Sequence, residues 1–85
     1  MDTAALLLRI AFHHRIDEAN ADEARDTIAR LAGHAIPDFH AALEKCLAHG
    51  WIEDPIHLED HALQCHWRLI LTQAGVAQAQ KIIGA

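Results

Sequence analysis

Residues 33–55 read GHAIPDFHAALEKCLAHGWIEDP, and the assignment of the whole chain turns on them. Phe39, Ala42, Leu43, Cys46 and Leu47 recur at the spacing that puts side chains on one face of an α-helix. Pro37 has no amide to lose and suits the first helical position, while Gly50 suits the residue just past the end. The opposite face of this helix presents Pro37, Asp38, Ala41, Glu44, Lys45 and Ala48, with His40 and His49 on its flanks.

Upstream, Asn20 followed by Glu23 is a capping arrangement: the Asn side chain accepts from free amides and the acid favours the positive helix end. A helix is predicted over 21–32, with Ala21, Ala24, Ile28 and Leu31 inward and Gly33 as its C′ residue. Two helices joined by so short a link match a helix-turn-helix. A further helix is expected from Ala4 to His14, capped by Asp2 or Thr3. Leu6, Leu7, Ile10, Ala11 and His14 share one of its faces, and Ala5, Leu8 and Phe12 form a second apolar face. A helix apolar nearly all round is buried on more than one side. Either the C-terminal helix wraps it, or Leu8, Phe12 and Ala5 make a homodimer contact.

Downstream of Gly50, Trp51–Ile52 is a strand entry. Cys65, Trp67, Leu69 and Leu71 then alternate with His66, Arg68, Ile70 and Thr72 in the period-two pattern of a strand. Asp60, His61, Ala62 and Gln64 would form the tip between two antiparallel strands. A rival reading starts a helix at Asp54–Pro55 and places Leu58, Ala62, Cys65 and Leu69 on one face. Thr72 caps a final helix over about 73–83, with Val76, Ala79 and Ile83 inward. Trp51 and Trp67 are expected to pack near each other.

The totals narrow the function classes. Eighty-five residues, 52% apolar, make one domain, and such a chain buries roughly 60 per cent of its unfolded surface. The formal charge is −5, so no general attraction to nucleic acid or anionic lipid follows from composition. Eight histidines make the surface charge sensitive to pH near 6. Serine and tyrosine are absent, which excludes a Ser-His-acid triad. Two cysteines without C-x-x-C spacing give no disulfide framework. Neither a signal peptide nor a membrane span is expected at the N-terminus, because Arg9 interrupts a short apolar run. The expected setting is cytoplasmic and reducing, with no membrane partner. No phosphate loop, dinucleotide glycine pattern or nucleophile–base pair occurs, so neither an enzyme nor a bound cofactor is expected.

Two motifs carry a family resemblance. AALEKCLAHGWIEDP, followed ten residues later by HWRLILTQAG, is similar to the helix end and the strand-to-helix turn of bacterial winged-helix regulators such as the MarR and PadR groups. The resemblance runs from about Leu6 to Ile83. It implies a mostly α (α+β) winged helix-turn-helix over residues 1–85: a three-helix bundle with a two- or three-stranded wing and a C-terminal helix. It also implies that the third helix enters the major groove of double-stranded DNA and that the wing touches the adjacent backbone. The positions that then face DNA are His34, Asp38, His40, Ala41, Lys45 and Arg68. Base reading relies on Arg or Lys for guanine and Asn or Gln for adenine, and on that helix Lys45 alone qualifies. Phosphate contacts supply much of the affinity of DNA binders, yet Glu53, Asp54, Glu59 and Asp60 crowd the wing.

Two functions follow as expectations. One is a small DNA-binding transcriptional regulator, dimeric, with weak and salt-sensitive affinity. The alternative is a winged-helix protein–protein interaction module with an acidic surface and little DNA affinity. A pH- or metal-responsive form of either is a third reading. His57, His61 and Cys65, with His66 adjacent, would climb one face in ligand-like spacing if the segment were helical, whereas in the two-strand reading His57 and His66 would face each other across the hairpin with His61 at its tip. Surface imidazoles and a buried small thiol account for the same residues without metal.

Overall fold

The computed structural model describes residues 2–58 and 65–84, with backbone only at 57, 58 and 65. Seven elements follow in order: α1 (Thr3–His13), β1 (Ile16–Glu18), α2 (Ala21–Ala32), α3 (Phe39–Ala48), β2 (Ile56–Leu58), β3 (Cys65–Leu69) and α4 (Gln73–Gly84). They form a small α+β domain of four helices and a three-stranded antiparallel sheet in the order β1-β3-β2.

The helix ends follow local chemistry. Asp2 caps α1 by accepting from the Ala5 amide at 2.8 Å, and Asn20 caps α2 by accepting from Glu23 at 2.9 Å. Gly33 closes α2 in the left-handed region at φ 82°, where its amide reaches the Ala29 carbonyl at 2.9 Å. The start of α3 departs from expectation. Pro37 lies in a turn, Asp38 is the N-cap residue, and no side-chain bond caps the helix.

β1 has no counterpart in the sequence reading of that segment. It pairs with β3 in the register Ile16↔Leu69, Asp17↔Arg68 and Glu18↔Trp67. On its other side β3 pairs with β2, which aligns Ile56 with Trp67 and His57 with His66. Residues 56–58 and 65–69 are therefore strands, and the helical alternative beginning at Asp54–Pro55 is overturned. The expected tip at Asp60, His61, Ala62 and Gln64 lies outside the described residues.

One core draws on every helix and on the inner face of the sheet. Leu7, Leu8, Ile28, Phe39 and Cys46 are its largest fully buried side chains, joined by Ile16, Trp67 and Leu69. Phe39 packs on Trp67 with ring centroids 5.8 Å apart, while Trp51 stacks on His49 at 4.3 Å. The two tryptophans thus take different partners rather than each other. Four residues expected inward lie at or beyond the edge of the core: Leu31, Leu47, Val76 and Ile83 are 36–45% exposed. In α4 the inward face is instead Gly75 and Ala79, with Ile82 partly buried.

Gly75 is inward because α4 crosses directly over the α3–β2 corner. A Cβ at this position would stand 1.8 Å from the Trp51 carbonyl oxygen, so only glycine fits. Thr72 completes the junction. Its hydroxyl donates to the Gly50 carbonyl and accepts from the Gly75 amide, and its own amide reaches the Trp51 carbonyl at 3.0 Å. Gly50 itself turns the chain at φ 69°, a backbone conformation costly for other residues. The Gly-Trp-Ile and Leu-Thr-Gln-Ala-Gly motifs are thus two halves of one junction.

Candidate interaction surface

The outward face of α3 is the first candidate, and two of its polar residues, Asp38 and Lys45, bond to the start of α1. Thr3 donates its hydroxyl to both carboxylate oxygens of Asp38, at 2.9 and 2.7 Å. Lys45 donates to Asp2 at 2.9 Å, although both side chains remain about half exposed. An exposed pair of this kind contributes about 0.2–1 kcal/mol, which is small for stability. Its importance lies in charge: the one lysine of α3 is paired with Asp2, and Asp38 and Glu44 add acids on or beside the same helix.

The Asp2 carboxyl is held below its ordinary range, first by the Ala5 amide that donates to it and then by Lys45. His40 is exposed and lies edge-on to Phe39 at 5.7 Å. Ala41 is exposed. His34 is exposed too, with Nδ1 2.9 Å from the Ala35 carbonyl oxygen. None of these four positions supplies a fixed positive charge.

Arg68, the remaining DNA-facing expectation, sits on the other side of β3. It donates from Nε to Asp17 of β1 at 3.2 Å. Asp17 is also 3.6 Å from Nδ1 of His66 and 3.7 Å from Arg15. Cross-strand pairing explains the cluster, because Asp17 and Arg68 are direct partners in the β1–β3 register and so share a face. The arginine therefore has a fixed partner on β1.

The three expected dimer contacts separate. Leu8 is fully buried and cannot face a second copy, because α4 covers that side of α1. Ala5 is partly buried and Phe12 is 39% exposed. Phe12 belongs to a groove of about 500 Å³ between the last turn of α1, β1, the end of β3 and the start of α4. Ala11, Leu71 and Val76 supply its apolar surface along with Phe12, and Arg15 and Arg68 stand on its rim with Asp17.

The helical form of the metal reading is overturned, while the hairpin form keeps its pairing of His57 with His66. His57 and Cys65 are strand residues rather than members of one helical face, and His57 and His66 are cross-strand partners in register. His61 lies outside the described residues. Among the described residues no group of three or more His, Cys, Asp or Glu side chains is arranged to hold a metal ion. Cys46 is buried in α3, 3.9 Å from the Ala4 carbonyl oxygen. Burial, and to a smaller extent Asp2, push its thiol up to about 11, so it stays protonated and unreactive at neutral pH.

Sequence reasoning missed the groove. It gave neither Asp17 nor Arg15 a role. A signal was present: Ile16 between two charged residues is a minimal alternating pattern, and Arg15–Ile16–Asp17 mirrors Arg68–Leu69 across the sheet. Among the described residues, no helix is long and apolar enough to cross a membrane. In comparisons with known proteins, no family model, curated protein or solved structure matches the chain.

Proposed function

We propose that this chain is a winged-helix domain that works as a protein-interaction module rather than as a reader of DNA. The order α1-β1-α2-α3-β2-β3-α4, with β1 added at the far side of β3, supports the winged-helix assignment. The observation that carries the functional half is the charge around α3. The lysine expected to reach DNA is paired with Asp2; Asp38 and Glu44 lie on or beside the same helix, and Arg68 is drawn to Asp17 across the sheet. A helix carrying a net negative face would repel phosphates instead of releasing their counterions. Other functions are built on common folds by changing the surface alone, and this surface is poor in the cations on which groove binding depends.

Fluorescence anisotropy of a labelled duplex, at about 50 and about 200 mM salt, tests the reading directly. The expected result is no saturation at micromolar protein at either salt, at about pH 7.5 and at about pH 6, where histidines gain charge. Binding that is tight at low salt and falls steeply at high salt would overturn the interaction reading and return α3 to DNA.

A further inference from the structure

We propose that the groove between α1, the sheet and α4 docks a partner-protein segment whose apolar side chains are flanked by aspartate or glutamate. The inference rests on the protein-interaction reading above and names the surface and the chemistry of the partner. A volume of about 500 Å³ lies within the range of established binding clefts. Two of the exposed large apolar side chains of the domain, Phe12 from α1 and Val76 from α4, line this one groove. Burying both against a partner would contribute favourably, since each leaves apolar surface in water.

Charge selects the partner. Among the described residues that line the groove, two arginines, Arg15 and Arg68, accompany one acid, Asp17, on a chain whose formal total is −5. His14 also faces the groove, and His66 lies beside Asp17. The Arg15 side chain is 86% exposed and 3.7 Å from its nearest carboxylate, so redirecting it towards an incoming acid costs little. A guanidinium presents two parallel donors to a carboxylate and is well suited to that task. An acidic, apolar segment satisfies both halves of the site at once; a basic segment would meet the arginines and be repelled.

The probe is a short fluorescein-labelled peptide in which Leu and Phe alternate with Glu and Asp, compared with a version carrying Lys at every acidic position. Binding is read by anisotropy and mapped by amide chemical shifts on the ¹⁵N-labelled domain. The acidic peptide is expected to shift the amides of Phe12, Arg15, Leu71 and Val76. Arg15→Glu, at an exposed position that leaves the core intact, is expected to weaken it about tenfold or more, and the lysine peptide is expected not to bind. Equal affinity for both peptides, shifts clustered elsewhere, or an unchanged affinity in Arg15→Glu would each overturn the groove assignment. So would a concentration-dependent dimer abolished by Arg15→Glu, which would make the groove a contact between copies. These outcomes are separate from DNA binding, whose appearance would remove the underlying interaction reading instead.

Discussion

The two ends of α1 are used in opposite ways. At its N-terminus, Asp2 and Thr3 reach across to Lys45 and Asp38 and hold the polar side of α3 in local pairs. At its C-terminus, Phe12 stays exposed beside Arg15, and the space towards α4 remains open. The contrast teaches that helix position alone does not designate the binding face. The helix that a winged-helix resemblance marks for recognition has its lysine and its N-cap aspartate paired with the start of α1. The helix for which the sequence left open wrapping by α4 or a dimer contact ends in exposed apolar surface beside the exposed Arg15.

The largest expected effect attacks the wall of the open end. Gly75→Ala places a methyl group against the Trp51 backbone carbonyl, which cannot swing aside as a side chain would. The cost is about 3 kcal/mol, seen as a fall in thermal midpoint of about 12 °C or more for a domain of this size. Val76 moves with α4, so the acidic peptide should bind more weakly to the folded fraction. A midpoint within a few degrees of the parent would show that α4 is not pressed onto the α3–β2 corner.

Next comes Leu8→Ala, which separates core from contact surface. Full burial predicts a loss of about 3 kcal/mol in urea unfolding, with no change in sedimentation behaviour. A change in self-association at unaltered stability would put Leu8 back on a dimer face.

Asp2→Ala probes the closed end and should cost about 1 kcal/mol, chiefly through the lost cap. The same group fixes the sign of an acid effect. Its folded-state value is depressed, so its contribution is fully present above the ordinary carboxylate value and is lost as pH falls through the depressed one. The difference in stability between the parent and Asp2→Ala should therefore shrink on acidification, and a difference that grows would contradict the assignment. The smallest effect is expected at Thr3→Val, about 0.5 kcal/mol or less for an exposed hydroxyl–carboxylate bond. It can be measured as a small shift in urea midpoint.

Cys46 offers a reactivity check on the core beneath the closed end. With its thiol raised to about 11, alkylation at mildly alkaline pH, located by fragment mass spectrometry, should leave Cys46 unmodified until the domain unfolds. The sign in stability follows from the raised value: the buried neutral thiol contributes fully below the ordinary cysteine value. That contribution declines as pH climbs through the folded-state value.

Features set by neighbours in sequence were legible without a structure. Asn20, Gly33 and Thr72 each cap or close a helix as their side chains or backbone freedom dictate, and the alternation of Trp67 and Leu69 located β3. Apolar periodicity was less reliable at the margins of each stripe. Leu31, Leu47, Val76 and Ile83 have the right spacing, but burial depends on which element lies opposite, and no element covers them fully. β1 is too short, at three residues, for a period-two pattern to stand out. The pairing of Lys45 with Asp2 joins residues 43 apart in sequence, and nothing local announces it. The same holds for Arg68 and Asp17, which are 51 apart. The candidate surface was assigned to α3 through the family resemblance, whereas long-range pairs tie Asp38 and Lys45 to one end of α1 and leave Phe12 exposed at the other.

The junction of Gly50 and Trp51 with Thr72 and Gly75 has an engineering consequence. It brings the two ends of the β2–β3 segment together, with Ile52 and Leu71 bridged just inside. A segment anchored at both ends can lengthen at low entropic cost, about 0.6 kcal/mol for each doubling of its length. Residues inserted between β2 and β3 should then leave the four helices folded. That connection is the natural place to splice in a reporter tag or a new binding loop without disturbing the groove on the opposite edge of the sheet.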